Sequence, residues 1–513
     1  MIAIAACAGC SAHGPRLPLE RPAAASGRFE GDFETRLRAA DRARRFTALV
    51  DLTDQLDLPA FARRWHAEPR SKSATRAAVI GALEAVASRQ QARLEPLLDG
   101  LHASGSIGDV HRVAIVNRLV VEGNAAALLT LAANREVAVM RPDWTSEPLV
   151  SGAAETPDDA GAPLGSTFRS WAIDAMKADR LWQRGFDGTG VLVATIDTGA
   201  YETHEQLRDR RVPGERGWFD PVEGSTVATD HHGHGTGVLS QAVGGNPDGR
   251  VVGVAPGARW ASALGNWKDF YARSRMTLAA DWVLRVARPD VLVNAWSHDE
   301  GDCNAFDLPF IDAWKASGIF VVFPAGNGGP QAKTGDTPAQ LRGVFSVAAL
   351  APTGLPYDAS SRGPSRCGNA LFPSLAAPGA GLPMAFPGGS MTYVRGEGTS
   401  LSAGLVGGAA ALLLQAAPET DPDTLERVMV MSARAVAPEG RDDATGSGVL
   451  DLEAALARLQ LNSVTEPSGS TRISMGAEAF ETRRPARLPG ARPILACTFR
   501  TYSCVSGYAG TPP

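Results

Sequence analysis

Four continuous apolar runs constrain this chain most: Val191–Ile196, Val291–Val293, Ile319–Phe323 and Val344–Ala348. None alternates polar with apolar residues, as a strand with one wet face would. Runs of this kind suit strands buried on both faces of a parallel sheet. Helical stretches such as Leu278–Ala287 fall between them. The expected fold class is therefore α/β, a doubly wound and mainly parallel sheet flanked by helices. Its active site should lie beyond the carboxyl ends of the strands.

A smaller pattern precedes this one. Phe46–Leu52 reads as a strand, and Ser73–Leu101 has apolar residues at helical spacing, interrupted by Pro96. Val110–Val121 reads as one or two strands. Asn124 caps a short helix over Ala125–Ala133, and Glu136–Met140 closes the set. This predicts a compact α+β domain of the βαββαβ, ferredoxin-like kind. At 513 residues the chain is too long for one ordinary domain. The expected divisions are 1–40 (leader and flexible lead-in), 41–143 (the small domain), 144–167 (a Pro/Gly-rich polar linker), 168–457 (the large α/β domain) and 458–513 (a tail without clear periodicity). Leu401–Ala417 is almost wholly apolar but is interrupted by Ser402 and Gln415. It falls short of the roughly 20 residues a bilayer span needs and reads as a buried helix.

The balance of 50 basic and 55 acidic side chains gives no support for a nucleic-acid or membrane-surface partner. The segments ending at Cys7 and Cys10 look like the small-residue cleavage site of a lipoprotein leader, although the apolar stretch is short and no Lys or Arg precedes it. The expected location is secreted or cell envelope, with a lipid anchor at Cys7 or Cys10 as one form of it. Cys303, Cys367, Cys497 and Cys504 allow three pairings, and export would favour disulfides.

Hydrolysis of a peptide by a serine needs a hydroxyl to attack, an imidazole to take its proton, a carboxylate to orient the imidazole and donors to hold the oxyanion. The large domain offers one candidate for each. Asp197 ends an apolar strand and opens Asp197-Thr198-Gly199. His234 lies between glycines in Asp230-His231-His232-Gly233-His234-Gly235-Thr236-Gly237, where a helix starts. Ser400 lies in Gly398-Thr399-Ser400-Leu401-Ser402-Ala403-Gly404, at the head of the long apolar helix. Asn327 ends Phe323-Pro324-Ala325-Gly326-Asn327 after a buried strand. Competing readings of the single motifs fail. An aspartic-protease dyad would need a second Asp-Thr-Gly, and Asp336-Thr337-Pro338 lacks the glycine. Thr203-His204-Glu205-Gln206-Leu207 lacks the second histidine of a zinc-protease helix. An esterase elbow would need glycine where Ser402 stands.

Taken in the order Asp, His, Asn, Ser, the chain resembles the subtilases, subtilisin-like serine peptidases, and within them the bacillopeptidase-F-like branch. Gly253-Val254-Ala255-Pro256-Gly257, Ser360-Ser361-Arg362-Gly363-Pro364, Ala376-Ala377-Pro378-Gly379 and Gly446-Ser447-Gly448-Val449-Leu450 carry the resemblance further, over roughly residues 168–457. The resemblance implies a seven-stranded sheet and a serine endopeptidase acting on polypeptides. Ser400 would be the nucleophile, His234 the general base and Asp197 its partner. Asn327 would stand in the oxyanion hole. Ala295, Trp296, Ser297, Ala325 and Gly326 would bind substrate. It implies no required organic cofactor. Structural calcium is a family habit, but no site for it can be placed here, and no metal ligands are assigned. Residues 46–143, with Ser88-Arg89-Gln90, would be an inhibitory propeptide removed by self-cleavage in the linker. The alternative is a catalytically silent relative serving as an envelope peptide-binding or scaffold protein. Three departures from the family pattern stand out: Leu401 to Leu405 after the nucleophile, Gly237 where a second His is usual, and Asn294-Ala295-Trp296-Ser297 in the substrate strand.

Overall fold

The structure is a computed structural model that describes residues 28–65, 71–143, 145–146, 164–267, 270–297, 303–436 and 440–465. The leader with Cys7 and Cys10, the tail from residue 466 with Cys497 and Cys504, and most of the linker lie outside the described residues.

The small domain runs α1 (Phe33–Ala39), β1 (Arg45–Leu52), α2 (Leu58–Trp65), α3 (Lys72–Ala103), β2 (Ile107–Val113), β3 (Arg118–Asn124), α4 (Ala125–Ala132) and β4 (Val137–Pro142). Its four strands form one antiparallel sheet in the order β2-β3-β1-β4, the expected βαββαβ arrangement. Asn124 caps α4 by accepting from the Ala127 N–H at 2.9 Å. Two details differ from the sequence reading. The end of the lead-in is part of this domain, because α1 buries Phe33 and Leu37 in its core. Helix α3 also continues for 32 residues through Pro96. A proline inside a helix removes one backbone donor and crowds the preceding turn. Leu94 and Leu98, buried on either side of it, hold the helix to the sheet.

Strand periodicity sends the two faces of this sheet to different cores. Leu119 and Val121 of β3 pack with α1, α3 and α4, whereas Val120 joins the core of the large domain. The β2–β3 turn is fastened at the same surface. The backbone N–H groups of Ala114 and Ile115 both donate to Asp281 Oδ1, at 2.9 and 3.0 Å. Arg118 donates to Thr277 Oγ1 at 3.1 Å and pairs with Asp51. Arg76 donates to the Arg288 and Pro289 carbonyls at 2.7 Å each.

The large domain contains a seven-stranded sheet, every neighbouring pair parallel, in the order Leu375–Pro378, Ser346–Leu350, Phe320–Pro324, Val291–Val293, Leu192–Asp197, Arg259–Leu264, Trp218–Phe219. All four apolar runs contribute strands, and their residues are buried throughout. Helix Thr399–Ala416 is long and apolar enough to cross a membrane, yet 89% of its apolar window is buried inside the protein. Cys303 and Cys367 form a disulfide across 64 residues of sequence. The start of the linker, Thr145–Ser146, pairs antiparallel with Phe270–Ala272, Ser146 opposite Tyr271 and Thr145 opposite Ala272.

Candidate active site

Asp197 is the last residue of a central strand and is 1% exposed. The chain must leave the strand sharply there. Gly199 makes the exit with φ +118°, and a Cβ on it would overlap the Thr229 carbonyl. Asp197 Oδ1 accepts from the Thr198 N–H at 2.7 Å and from His234 Nδ1 at 2.7 Å. With Nδ1–H given to the carboxylate, His234 Nε2 is left as the lone-pair nitrogen of the neutral ring. It has no hydrogen-bond partner among the described residues. Burial by itself favours the neutral imidazole. The Asp197 carboxylate, with Asp230 behind it, outweighs burial and raises the His234 pKa above the ordinary histidine value.

His234 opens helix His234–Val243, and Ser400 is the second residue of helix Thr399–Ala416. A Cβ on Gly404 would meet the Val238 carbonyl, and one on Gly408 the Ala242 carbonyl. Each contact joins residues equally far from His234 and from Ser400. The two helices therefore run parallel, with His234 and Ser400 at adjacent amino ends. There the backbone N–H groups have no partner within the helix and the dipole is positive. The Ser400 hydroxyl donates to the Ala295 carbonyl at 3.4 Å rather than to His234.

Asn327 follows the strand Phe320–Pro324, and its Oδ1 accepts from the Thr399 N–H at 2.9 Å and the Thr399 hydroxyl at 3.0 Å. A backbone N–H can only donate, so the atom facing it must be the amide oxygen. The Asn327 amide nitrogen is thereby assigned as a donor beside the residue that precedes Ser400. The Thr399 hydroxyl in turn accepts from the Gly326 N–H at 3.2 Å.

Of the five residues expected to bind substrate, Ala295, Ser297, Ala325 and Gly326 are all buried beside these groups. Trp296 differs. Its side chain is 2% exposed and packs edge-on against Phe323, with ring centroids 5.3 Å apart. Trp296 can meet a substrate only through its backbone.

One organising residue carried no assigned role in the sequence reading. Asp230 accepts from the His232, Gly233 and Thr236 N–H groups, at 3.0, 2.8 and 2.8 Å, and from the Thr198 and Thr236 hydroxyls, at 3.0 and 2.7 Å. It ties the turn before His234 to the turn after Asp197. An acid just before a Gly-rich turn was the available signal, and its partner Thr198 lies 32 residues away. The sequence departures also have local explanations. A Cβ at Gly237 would come within 2.6 Å of the Met384 sulfur, so Met384 fills the space a larger side chain would take. The Ser402 hydroxyl donates to the Pro378 carbonyl at 2.9 Å. Among the described residues, no group of three or more His, Cys, Asp or Glu side chains is placed to hold a metal ion.

The arrangement can do general-base-assisted acyl transfer: an imidazole oriented by a buried carboxylate, a serine at a helix amino end, and an amide donor next to it. Residues 188–448 match the profile of the subtilase family. The chain is 27% identical to bacillopeptidase F of Bacillus subtilis over 443 residues, covering 80% of this chain and 30% of that protein. It is 28% identical to fervidolysin of Fervidobacterium pennivorans, covering 60% of this chain and 46% of the relative. It is 28% identical to subtilisin DY of Bacillus licheniformis, covering 56% of this chain and 97% of the relative. The chain thus spans less than half the length of the first two.

Proposed function

The chain belongs to the subtilase family, and from that premise we propose that it is a serine endopeptidase hydrolysing polypeptides, made as a self-processing zymogen. The observation that carries the reading is the 2.7 Å bond from His234 Nδ1 to the buried Asp197 carboxylate, which leaves Nε2 as the proton acceptor.

In the proposed reaction the Ser400 hydroxyl turns from the Ala295 carbonyl to His234 Nε2. It gives up its proton there as Oγ bonds to the substrate carbonyl carbon. Hydrogen bonds at such sites are often unmade without substrate, so the resting contact is compatible with this step. The carbonyl π electrons move onto oxygen, which the Asn327 amide and the Ser400 backbone N–H receive. The imidazolium, stabilised by Asp197, returns its proton to the departing amine as the C–N bond breaks. Water then attacks the acyl-enzyme through the same imidazole and releases the acid. No organic cofactor enters any step, and structural calcium is left unassigned.

The small domain serves as the inhibitory propeptide in this reading. It is docked on the large domain through Asp281 and Thr277, and the chain leaving it starts as an extended strand on Tyr271–Ala272. A tethered segment reaches a high effective concentration at the site without strong intrinsic affinity. The Cys303–Cys367 disulfide supports maturation in an oxidising compartment, hence a secreted or envelope location. The test is labelling with a fluorophosphonate and digestion of casein. Both should occur in the wild type and vanish in Ser400→Ala. A folded wild type that neither labels nor digests would overturn the reading.

A further inference from the structure

The small domain also grips the large one far from the reacting groups, at the opposite end of the parallel sheet. Asp290 precedes the strand Val291–Val293. Its N–H donates to the Leu192 carbonyl at 2.9 Å, and its Oδ2 accepts from the Leu192 N–H at 3.1 Å. Asp290 therefore stands beside the first residue of the strand that Asp197 ends. The rise of that strand sets the two ends about 17 Å apart.

Arg76 and Lys72, at the amino end of α3, reach this place. Every guanidinium nitrogen of Arg76 donates to the large domain. Nε donates to the Ser317 carbonyl at 3.3 Å, and the two terminal nitrogens donate to the Arg288 and Pro289 carbonyls at 2.7 Å each. Asp290 Oδ1 lies 3.8 Å from the same group. Arg288 and Ser317 follow the ends of two helical segments, Val283–Ala287 and Leu308–Ala316. Helix carboxyl ends carry unpaired carbonyls and a negative dipole, which suit a cation. A planar fork can reach acceptors from two such ends at once, whereas an ammonium is a point charge. Lys72 adds its own ammonium, 3.3 Å from Asp290 Oδ1, and its backbone N–H, which donates to Glu419 Oε2 at 2.8 Å.

We propose that the carbonyls of Arg288, Pro289 and Ser317, together with Asp290, form a guanidinium-binding site whose occupant is Arg76 of this chain, and that this remote anchor keeps the small domain bound after the linker is cut. The inference rests on the propeptide reading above and adds how release is controlled. Cleavage removes the tether and frees Thr145–Ser146 at one end of the sheet. It leaves the bonds of Arg76 at the other end in place. Helix α3 carries that hold to the core of the small domain, since Leu94, buried there, lies about 27 Å further along the same helix. While either contact stands, the other is presented at high effective concentration and re-forms. The first cut therefore yields a latent complex, and activity waits for the small domain itself to be lost.

The binding test dispenses with catalysis. Full-length Ser400→Ala protein is given the recognition sequence of a sequence-specific protease within residues 147–163 and is nicked there. The nicked parent should elute from gel filtration as one complex at micromolar concentration. Arg76→Ala should raise its Kd roughly 10- to 100-fold, the range for a hydrogen bond to a charged group. Arg76→Lys keeps the charge without the fork and should stay nearer to Ala than to the parent. A nicked parent that separates, an unchanged Kd in Arg76→Ala, or a Lys variant equal to the parent overturns the proposal. Should Arg76→Ala fail to fold, Asp290→Asn, which keeps an acceptor for the Leu192 N–H, must still raise the Kd. In the chain with Ser400 intact, Arg76→Ala should shorten the interval between linker cleavage, read by intact mass, and the onset of casein digestion. An unchanged interval overturns the latency. A chain that never cuts itself defeats the self-processing reading alone, because the nicked protein measures the anchor without Ser400.

Discussion

Asn327 Oδ1 accepts the Thr399 backbone N–H at 2.9 Å, a bond across 72 residues that sets the orientation of the side-chain amide beside Ser400. In the proposed reaction a committed acceptor would leave the amide nitrogen as the donor without reorganisation, which is the condition for strong oxyanion stabilisation.

Replacing Asn327 should therefore lower kcat with little change in KM. Asn327→Ala is expected to reduce turnover about 10²–10³-fold, the range known for removing this donor in subtilisin itself. Asn327→Asp keeps an acceptor for Thr399 but sets a charge against the oxyanion, and should be at least as slow. Steady-state kinetics on folded variants decides. An Asp variant close to wild type would remove Asn327 from the reaction.

The His234–Asp197 pair predicts the pH profile. Asp197 raises the His234 pKa despite burial, and only the neutral ring can take the Ser400 proton. Activity is then lost as pH falls through the raised pKa, so the acid limb of kcat/KM should lie above the ordinary histidine value of about 6.5. Asp197→Asn removes the charge that raises it. The limb should move to lower pH while activity drops about 10⁴-fold, as for an equivalent triad substitution elsewhere. A limb unmoved in Asp197→Asn would show that another group titrates.

Self-processing should depend on Ser400. Expressed without other proteases, the wild type should lose about 15–17 kDa of its 53.7 kDa from the amino end, giving a mature start between residues 144 and 167. Ser400→Ala should stay whole. Intact mass spectrometry of the two proteins reads the result. Identical processing of the purified mutant would exclude self-cleavage.

Docking of the small domain should depend on Asp281, whose carboxylate receives two backbone donors from the β2–β3 turn. Asp281→Ala would leave both N–H groups unpaired at a buried surface, at a cost of about 1–3 kcal/mol for each unmade bond. The freed small domain should then inhibit the mature variant at least about tenfold more weakly than the wild type. Equal inhibition constants would mean that the turn contributes nothing to binding.

Removal of the Cys303–Cys367 bridge should destabilise the large domain. For a loop closed over 64 residues, the chain-entropy account gives about 4 kcal/mol. Cys303→Ser with Cys367→Ser should lower the denaturant midpoint accordingly, and an unchanged midpoint would leave the bridge without a stabilising role.

Much of this protein is settled locally. A strand buried on both faces must be apolar throughout, so the central strands are visible as runs. A backbone that turns at φ +118° needs glycine, so Gly199 beside Asp197 is visible as a motif. Ser400 at the head of a buried helix shows as a small polar cluster before an apolar run. What the sequence left open depends on contacts between distant segments. Nothing local to Pro96 tells that Leu94 and Leu98 will be buried in the core and α3 will run on through it, and nothing local to Cys303 names Cys367 among three pairings. Trp296 reads as part of a substrate strand, and only packing against Phe323 turns its ring into the core. Asp336 is the sharpest case. Read alone, it is an Asp-Thr-Pro turn. Its surroundings come from Ser297, 39 residues earlier, and from the missing Cβ of Gly326. Local propensity acts over a few residues, whereas the surroundings of a buried charge are chosen only when the strands and loops around it have packed.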